Sequence, residues 1–138
     1  MSSRLFRNLR EQDGLAYQLG SSYSAKVLGG TFLTYIGTNP DTLEYSRKKI
    51  FNEINRLKME FVSDSELNNA KERLKGGFII AMETNSEKAS NIGMFEAMGF
   101  GYDFLDKYTK MIDEVTASDI VKVANKYFNS NVVQADVR

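Results

Sequence analysis

Two side chains near the start of the sequence, Arg10 and Tyr17, are of types that can grip a peptide group. A guanidinium stays charged and offers several donors in a rigid fork, and a phenol offers one donor on a stiff arm. Set together, they can hold a carbonyl oxygen, or the oxyanion that forms when water attacks it. On residue types alone the plainer roles are the stronger ones. Tyr17 shares strand parity with Leu15 and Leu19, which suits a core tyrosine with a bonded hydroxyl. Arg10 suits a surface charge at a helix end.

Other chemistry is limited by what the chain lacks. It contains no histidine and no cysteine, so imidazole-based triads, thiol chemistry and the usual zinc ligand sets are out of reach. No Asp-rich calcium loop occurs. Glu83 and Glu87 straddle a helix break and read as exposed acids, not as ligands. Gly29-Gly30 and Gly76-Gly77 do not have the form of a phosphate loop.

The elements that must position Arg10 and Tyr17 follow from local signals. Ser3 to Gln12 reads as an amphipathic helix with Leu5, Phe6 and Leu9 on one side. Arg10 falls beside Phe6 at the edge of that stripe, and Gly14 is a natural stop. Leu15 to Ala25 and Thr31 to Thr38 read as strands of a hairpin turning through Lys26 to Gly30. The second strand is apolar on both parities, which predicts cover on both faces. Asn39-Pro40-Asp41 starts a helix running to about Glu60, and Ser63 to Glu66 starts another. That helix carries its stripe on Leu67, Ala70, Leu74, Phe78 and Met82, with Gly76-Gly77 predicting an interruption through close packing or a kink. Thr84 to Glu87 caps a third helix that Gly99 and Gly101 end. Tyr102 to Ile112 reads as a fourth, and Thr116 to Asp119 opens a last one with Ile120, Val123, Ala124 and Tyr127 inward. Asn129-Ser130-Asn131 turns into a closing strand, Val132 to Val137. The expected fold class is α+β: an antiparallel or mixed sheet with helices mainly on one face. Three strands make a thin sheet, so an incomplete sheet, or one completed by another chain, is expected.

The run Ser3-Arg4-Leu5-Phe6, Leu9-Arg10-Glu11 and Gly14-Leu15-Ala16-Tyr17 resembles the second part of a C-terminal domain of the pitrilysin/insulinase-type zinc peptidases, which include the mitochondrial processing peptidases. The Asn39-Pro40 helix start, the Ser63 to Glu66 helix, and Val115 to Asp119 before Lys126-Tyr127-Phe128 extend the resemblance over nearly the whole chain. It implies a clam-like pairing of similar domains, one carrying an H-x-x-E-H zinc motif. The facing domain would contribute Arg10 to anchor a substrate carbonyl and Tyr17 to stabilise the tetrahedral intermediate. This sequence lacks the zinc motif and the opening portion of such a domain. The resemblance therefore implies one incomplete domain over residues 1–138, with Met1 an internal start. No cofactor is expected in this chain, and zinc is expected on another domain or subunit of the same peptidase. The expected partners are that domain, a peptide substrate and a second copy of the chain, with no activity alone. A non-catalytic scaffold or assembly subunit of the same family is the alternative. An unrelated α+β ligand-binding module, with Tyr17 in the core, is a third reading.

Composition is consistent with these expectations. The 138 residues are 42% hydrophobic, enough for one compact domain, and 18 basic residues balance 18 acidic ones. Nucleic acid is a poor partner for such a balance. Arg47-Lys48-Lys49, on a helix that also carries acids, reads as a solvated face. No apolar run is long enough to span a bilayer and no signal-peptide core is visible. No membrane contact is expected, and the chain reads as soluble and cytoplasmic unless signals lay upstream.

Overall fold

The computed structural model describes residues 3–129 and 132–137. It is an α+β arrangement of one antiparallel hairpin and a run of helices. A short helix, Phe6–Gln12, leads into β1, Gln18–Lys26, and β2, Gly29–Gly37. Five α-helices follow: α1, Leu43–Met59; α2, Asp64–Ile80; α3, Asn85–Ala97; α4, Phe104–Glu114; and α5, Ala117–Tyr127. The chain forms two compact units. One gathers the residues up to Ala25, Gly30–Glu60 and the chain from Val121 onward. The other gathers Lys26–Gly29 and Phe61–Ile120.

Helix starts form where local chemistry calls for them. Asn39 accepts from the Asp41 backbone N–H ahead of Pro40, whose missing N–H costs nothing in a first turn. Ser63 caps α2 through the Glu66 N–H. Thr84 and Glu87 form a reciprocal capping box at α3. Thr116 and Asp119 do the same at α5. Between α3 and α4, Gly99 and Gly101 take φ of +81° and +92°, a region that side chains with a Cβ avoid.

In the first unit the sheet is covered on one face only. Alternate residues of a strand point to opposite faces. On the even face of β2, Phe32 packs on Phe128, ring centroids 4.9 Å apart, and just beyond the strand Thr38 bonds to Ser46 of α1. The Asn125 amide donates to the Lys58 carbonyl at 2.9 Å and ties α5 to the end of α1. Thr34 and Ile36 of the even face are half-buried, although Phe32 is as exposed as Tyr35; on the odd face Leu33 and Tyr35 are both exposed. The expectation of cover on both sides of this strand is thus corrected. In the second unit, rings of Phe78, Phe95, Phe100, Phe104 and Tyr108 cluster between α2, α3 and α4, with Phe78 and Tyr108 stacked at 4.1 Å. Lys75 pairs with Asp113 at 2.9 Å and Lys71 reaches the Asp113 carbonyl, joining α2 to α4.

Several expected features take a different form. Residues Val132 to Val137 form no strand, and the sheet of the described residues has two strands. Instead, Asp136 is held to α1 by Arg47 at 2.9 Å. Of the turn expected before it, Ser130 and Asn131 lie outside the described residues. The first helix winds with i→i+5 bonds as a π-helix. Tyr17 precedes β1 in a bend, and the hairpin turns on Val27-Leu28 alone. On α2, Leu67, Phe78 and Met82 are half-buried while Ala70 and Leu74 are exposed. On α5, Ala124 is enclosed but Val123 and Tyr127 are exposed.

Gly76 and Gly77 neither break nor kink α2, which runs unbroken to Ile80. A Cβ added at either position would meet nothing within 4 Å, so close packing among the described residues does not demand them. Gly77→Ala should therefore stabilise the chain by about 0.5–1 kcal/mol through lower unfolded-state entropy and better helix propensity. Urea unfolding followed by circular dichroism checks this. An unchanged or lower midpoint would show that the glycine serves contacts beyond the chain's own.

Candidate functional site

Arg10 and Tyr17 lie on either side of one tight connection. Leu9, ahead of the arginine, is fully buried and anchors the helix. Asp13 donates its N–H to the Asn8 carbonyl, and Gly14 takes φ of +63°. Leu15 then donates to the Leu9 carbonyl at 2.8 Å. This reversal brings the chain back to Tyr17, whose N–H donates to the Gly37 carbonyl at 3.1 Å. Tyr17 thereby joins the hairpin before its regular ladder starts.

Helix α1 holds this connection in place through one stripe of polar residues. Thr42, Ser46, Lys49 and Glu53 follow at spacings of four, three and four, one face of a helix. The Glu53 carboxylate accepts from the Asn8 amide at 2.8 Å. The Lys49 ammonium pairs with Asp13 at 2.8 Å and lies over the Tyr45 ring. Thr38, at the end of β2, donates to the Leu15 carbonyl at 2.6 Å and lies 3.1 Å from the Ser46 hydroxyl. A carbonyl only accepts, so the one Thr38 proton goes to Leu15 and the buried Ser46 hydroxyl must donate to Thr38. Sequence reasoning read the run Arg47-Lys48-Lys49 as a solvated face and did not single out this stripe. Its signal was the helical spacing of residues 42, 46, 49 and 53, which exposed polar residues also show.

The two donor groups face outward. Tyr17 is 74% exposed, so it is not the core tyrosine that its parity allowed. Its ring lies across Gly37, where an added Cβ would meet it at 2.7 Å. Only a residue without a Cβ lets the ring lie there. The Arg10 guanidinium sits 5.0 Å from the centre of the Phe6 ring, a cation–π contact that restrains it while leaving its N–H groups unused. Among the described residues, neither the guanidinium nor the phenol makes a hydrogen bond, with each other or with a third group. Nor, among those residues, do three His, Cys, Asp or Glu side chains gather where they could hold a metal ion.

Fold and site define an α+β domain that presents two free donors beside a sheet and has no metal centre among its described residues. The chain belongs to the peptidase M16 family: the family profile described as "Peptidase M16 inactive domain" matches residues 1–74. This is the pitrilysin-type family whose resemblance the motif around Arg10 carries. A protein of Rickettsia felis named as an uncharacterized zinc protease is 36% identical over 135 residues, covering 98% of this chain and 32% of that protein. A solved protease from Helicobacter pylori superposes with a TM-score of 0.77 at 28% identity, over 93% of this chain and 31% of that one. The peptidase M16 inactive domain from Pseudomonas fluorescens shares the fold, with a TM-score of 0.81 at 21% identity, over 92% of this chain and 30% of that one. The chain spans about a third of the length of the curated relatives it matches.

Two outcomes test the positioning network. Thr38→Val removes the proton from the Leu15 carbonyl and the acceptor from Ser46, and should cost about 1–3 kcal/mol in denaturant unfolding. Thr38→Ser should restore most of it. The Asp13 carboxylate first, and Tyr45 next, raise the Lys49 pKa above its ordinary 10.5. A raised lysine pKa stabilises the fold below the unfolded value and loses that contribution as pH rises through the folded one. The melting temperatures of wild type and Lys49→Met should therefore converge as pH climbs past 10.5. Curves that stay parallel across that range would remove Lys49 from the network.

Proposed function

We propose that this chain is the substrate-holding, non-zinc-binding part of a zinc-dependent endopeptidase. The observation that carries the reading is the pair of exposed, unbonded donors, Arg10 and Tyr17, on a connection locked from behind by α1. Arg10 anchors a carbonyl of the bound peptide. Tyr17 donates to the oxyanion that develops when the scissile carbonyl is attacked, where preorganised donors act most strongly. The names of relatives such as the zinc protease of Rickettsia felis support a zinc-dependent whole. The residues of this chain do not fit zinc, having neither histidine nor cysteine. The metal and the base that activates water belong to another domain or subunit, and the present domain adds only the grip.

The same reading covers association. The hairpin is a two-stranded sheet with an uncovered face, and Ile79, Ile80 and Phe100 are exposed on the helices and the turn after α3. The zinc-bearing domain, or a second copy when the chain is alone, covers part of this apolar surface. The word "inactive" in the matched family's description favours one second reading, a scaffold or assembly role without catalysis.

Kinetics in the assembled peptidase separate the two. Under the substrate-holding reading Tyr17→Phe lowers kcat by about 100-fold with little change in KM, since its bond strengthens in the transition state. Arg10→Ala raises KM and lowers kcat/KM. Peptide cleavage left intact in both variants would leave the scaffold reading standing and end the other.

A further inference from the structure

The open face of the sheet carries more than Tyr17. Gly37 and Tyr35 are two apart on β2 and point to the same face. The Tyr17 ring lies on Gly37, so it lies on that face too. Across the ladder, a Cβ added to Gly20 would meet the Tyr35 hydroxyl at 2.8 Å and its ring carbon at 2.9 Å, so the Tyr35 ring is laid flat over Gly20 of β1. Tyr17 leans from the β1 side onto β2, and Tyr35 leans from β2 onto β1. Each is seated on a glycine that no other residue could replace without moving the ring. Leu33, two further along β2, continues the row. Leu33 and Tyr35 are exposed; on the opposite face Phe32, itself as exposed as Tyr35, meets Phe128, and Thr38 meets α1.

The geometry points to Tyr35 as a specificity-determining contact: a platform that takes an apolar or aromatic side chain of the bound peptide near the bond held by Tyr17. An extended peptide repeats its side chains on one side every two residues, about 6.8 Å, the same repeat that separates Gly37, Tyr35 and Leu33 along β2. A peptide whose carbonyl reaches Tyr17 and which runs along the strand therefore sets an alternate side chain over the Tyr35 ring. Stacking on an aromatic face favours apolar and aromatic groups and tolerates many sequences, as suits a peptidase acting on varied segments. This inference rests on the substrate-holding reading and deepens it.

The test uses the assembled, zinc-bearing peptidase and a series of peptides that differ at one position two residues from the cleaved bond, on either side. Tyr35→Ala should lower kcat/KM by about five- to tenfold for peptides with Phe there. For peptides with Ala there it should change little, and Tyr35→Phe should retain the preference. If Tyr35→Ala folds poorly, Tyr35→Ile keeps a strand-forming residue and removes the ring. Gly20→Val, on the facing strand, displaces the ring without removing it. Both should flatten the same preference. Equal losses for Phe and Ala peptides, or an unchanged preference in the ring-removing and ring-displacing variants, would overturn the role of Tyr35. Loss of turnover in Tyr17→Phe alongside an unchanged Tyr35 preference would leave the reading of Tyr17 intact and sink this inference alone. An active Tyr17→Phe enzyme would remove the reading beneath it.

Discussion

One hydroxyl with a single proton and three oxygen neighbours holds the site together. Thr38 gives its proton to the Leu15 carbonyl and receives one from the buried Ser46, with the Thr42 hydroxyl 2.9 Å away. Leu15 lies between the arginine helix and the tyrosine, Thr38 ends β2, and Ser46 belongs to α1. A single node thus joins the three segments whose relative placement decides where the guanidinium and the phenol project. The neighbouring contacts repeat the design from the same helix face, with Lys49 on Asp13 and Glu53 on Asn8. Packing alone would not suffice here, because only Leu9 and Ala16 in this stretch are buried. Directional bonds therefore do what a larger core would do elsewhere.

The one-sided sheet follows from the same economy. Helical cover falls on the even residues of β2, where Phe32 and Thr38 find partners. The odd residues keep Tyr35 and Leu33 open. Exposed aromatic rings on a free face need support to stay ordered, and two glycines opposite tyrosines supply it there: Gly37 under Tyr17 and Gly20 under Tyr35; Gly30 does the same for Tyr23 on the opposite face. A ring covering a glycine also shields backbone that would otherwise face water and weaken the strand. The glycine content of the hairpin reflects ring seating more than turn geometry, since none of its glycines has a positive φ.

The division between what was legible in the sequence and what was not follows the range of the interactions. Caps at Asn39, Ser63, Thr84 and Thr116 were readable because partner and donor lie within three residues. The stop at Gly14 and the place of Arg10 beside Phe6 were readable for the same reason. The arginine–tyrosine motif itself was readable only through resemblance, since its spacing has plainer explanations. Sheet cover, the fate of Val132 to Val137 and the continuity of α2 through Gly76-Gly77 depend on segments far away in sequence, which leave no local trace. The polar stripe of α1 went unnoticed because a lysine and a glutamate that hold a neighbouring loop are the same residue types, at the same spacing, as those that only meet water.

Under the substrate-holding reading, Arg10 and Tyr17 act as hydrogen-bond donors, not as carriers of a transferred proton. Guanidinium and phenol groups already donate at neutral pH in their ordinary forms, unlike a general base, whose usefulness depends on a shifted pKa. Burial or a charged partner would occupy or hide the very N–H and O–H groups that this reading assigns to substrate. Arg10 is accordingly restrained by an aromatic face, which takes none of its donors, and Tyr17 by a glycine, which takes none of its hydroxyl. The charged contacts fall one layer behind: the Lys49–Asp13 ion pair and the hydrogen bond from the Asn8 amide to the Glu53 carboxylate. On that reading the grip needs no histidine. Under the substrate-holding reading proposed above, such a domain supplies geometry and polarity to a reaction and leaves proton removal to groups elsewhere in the peptidase.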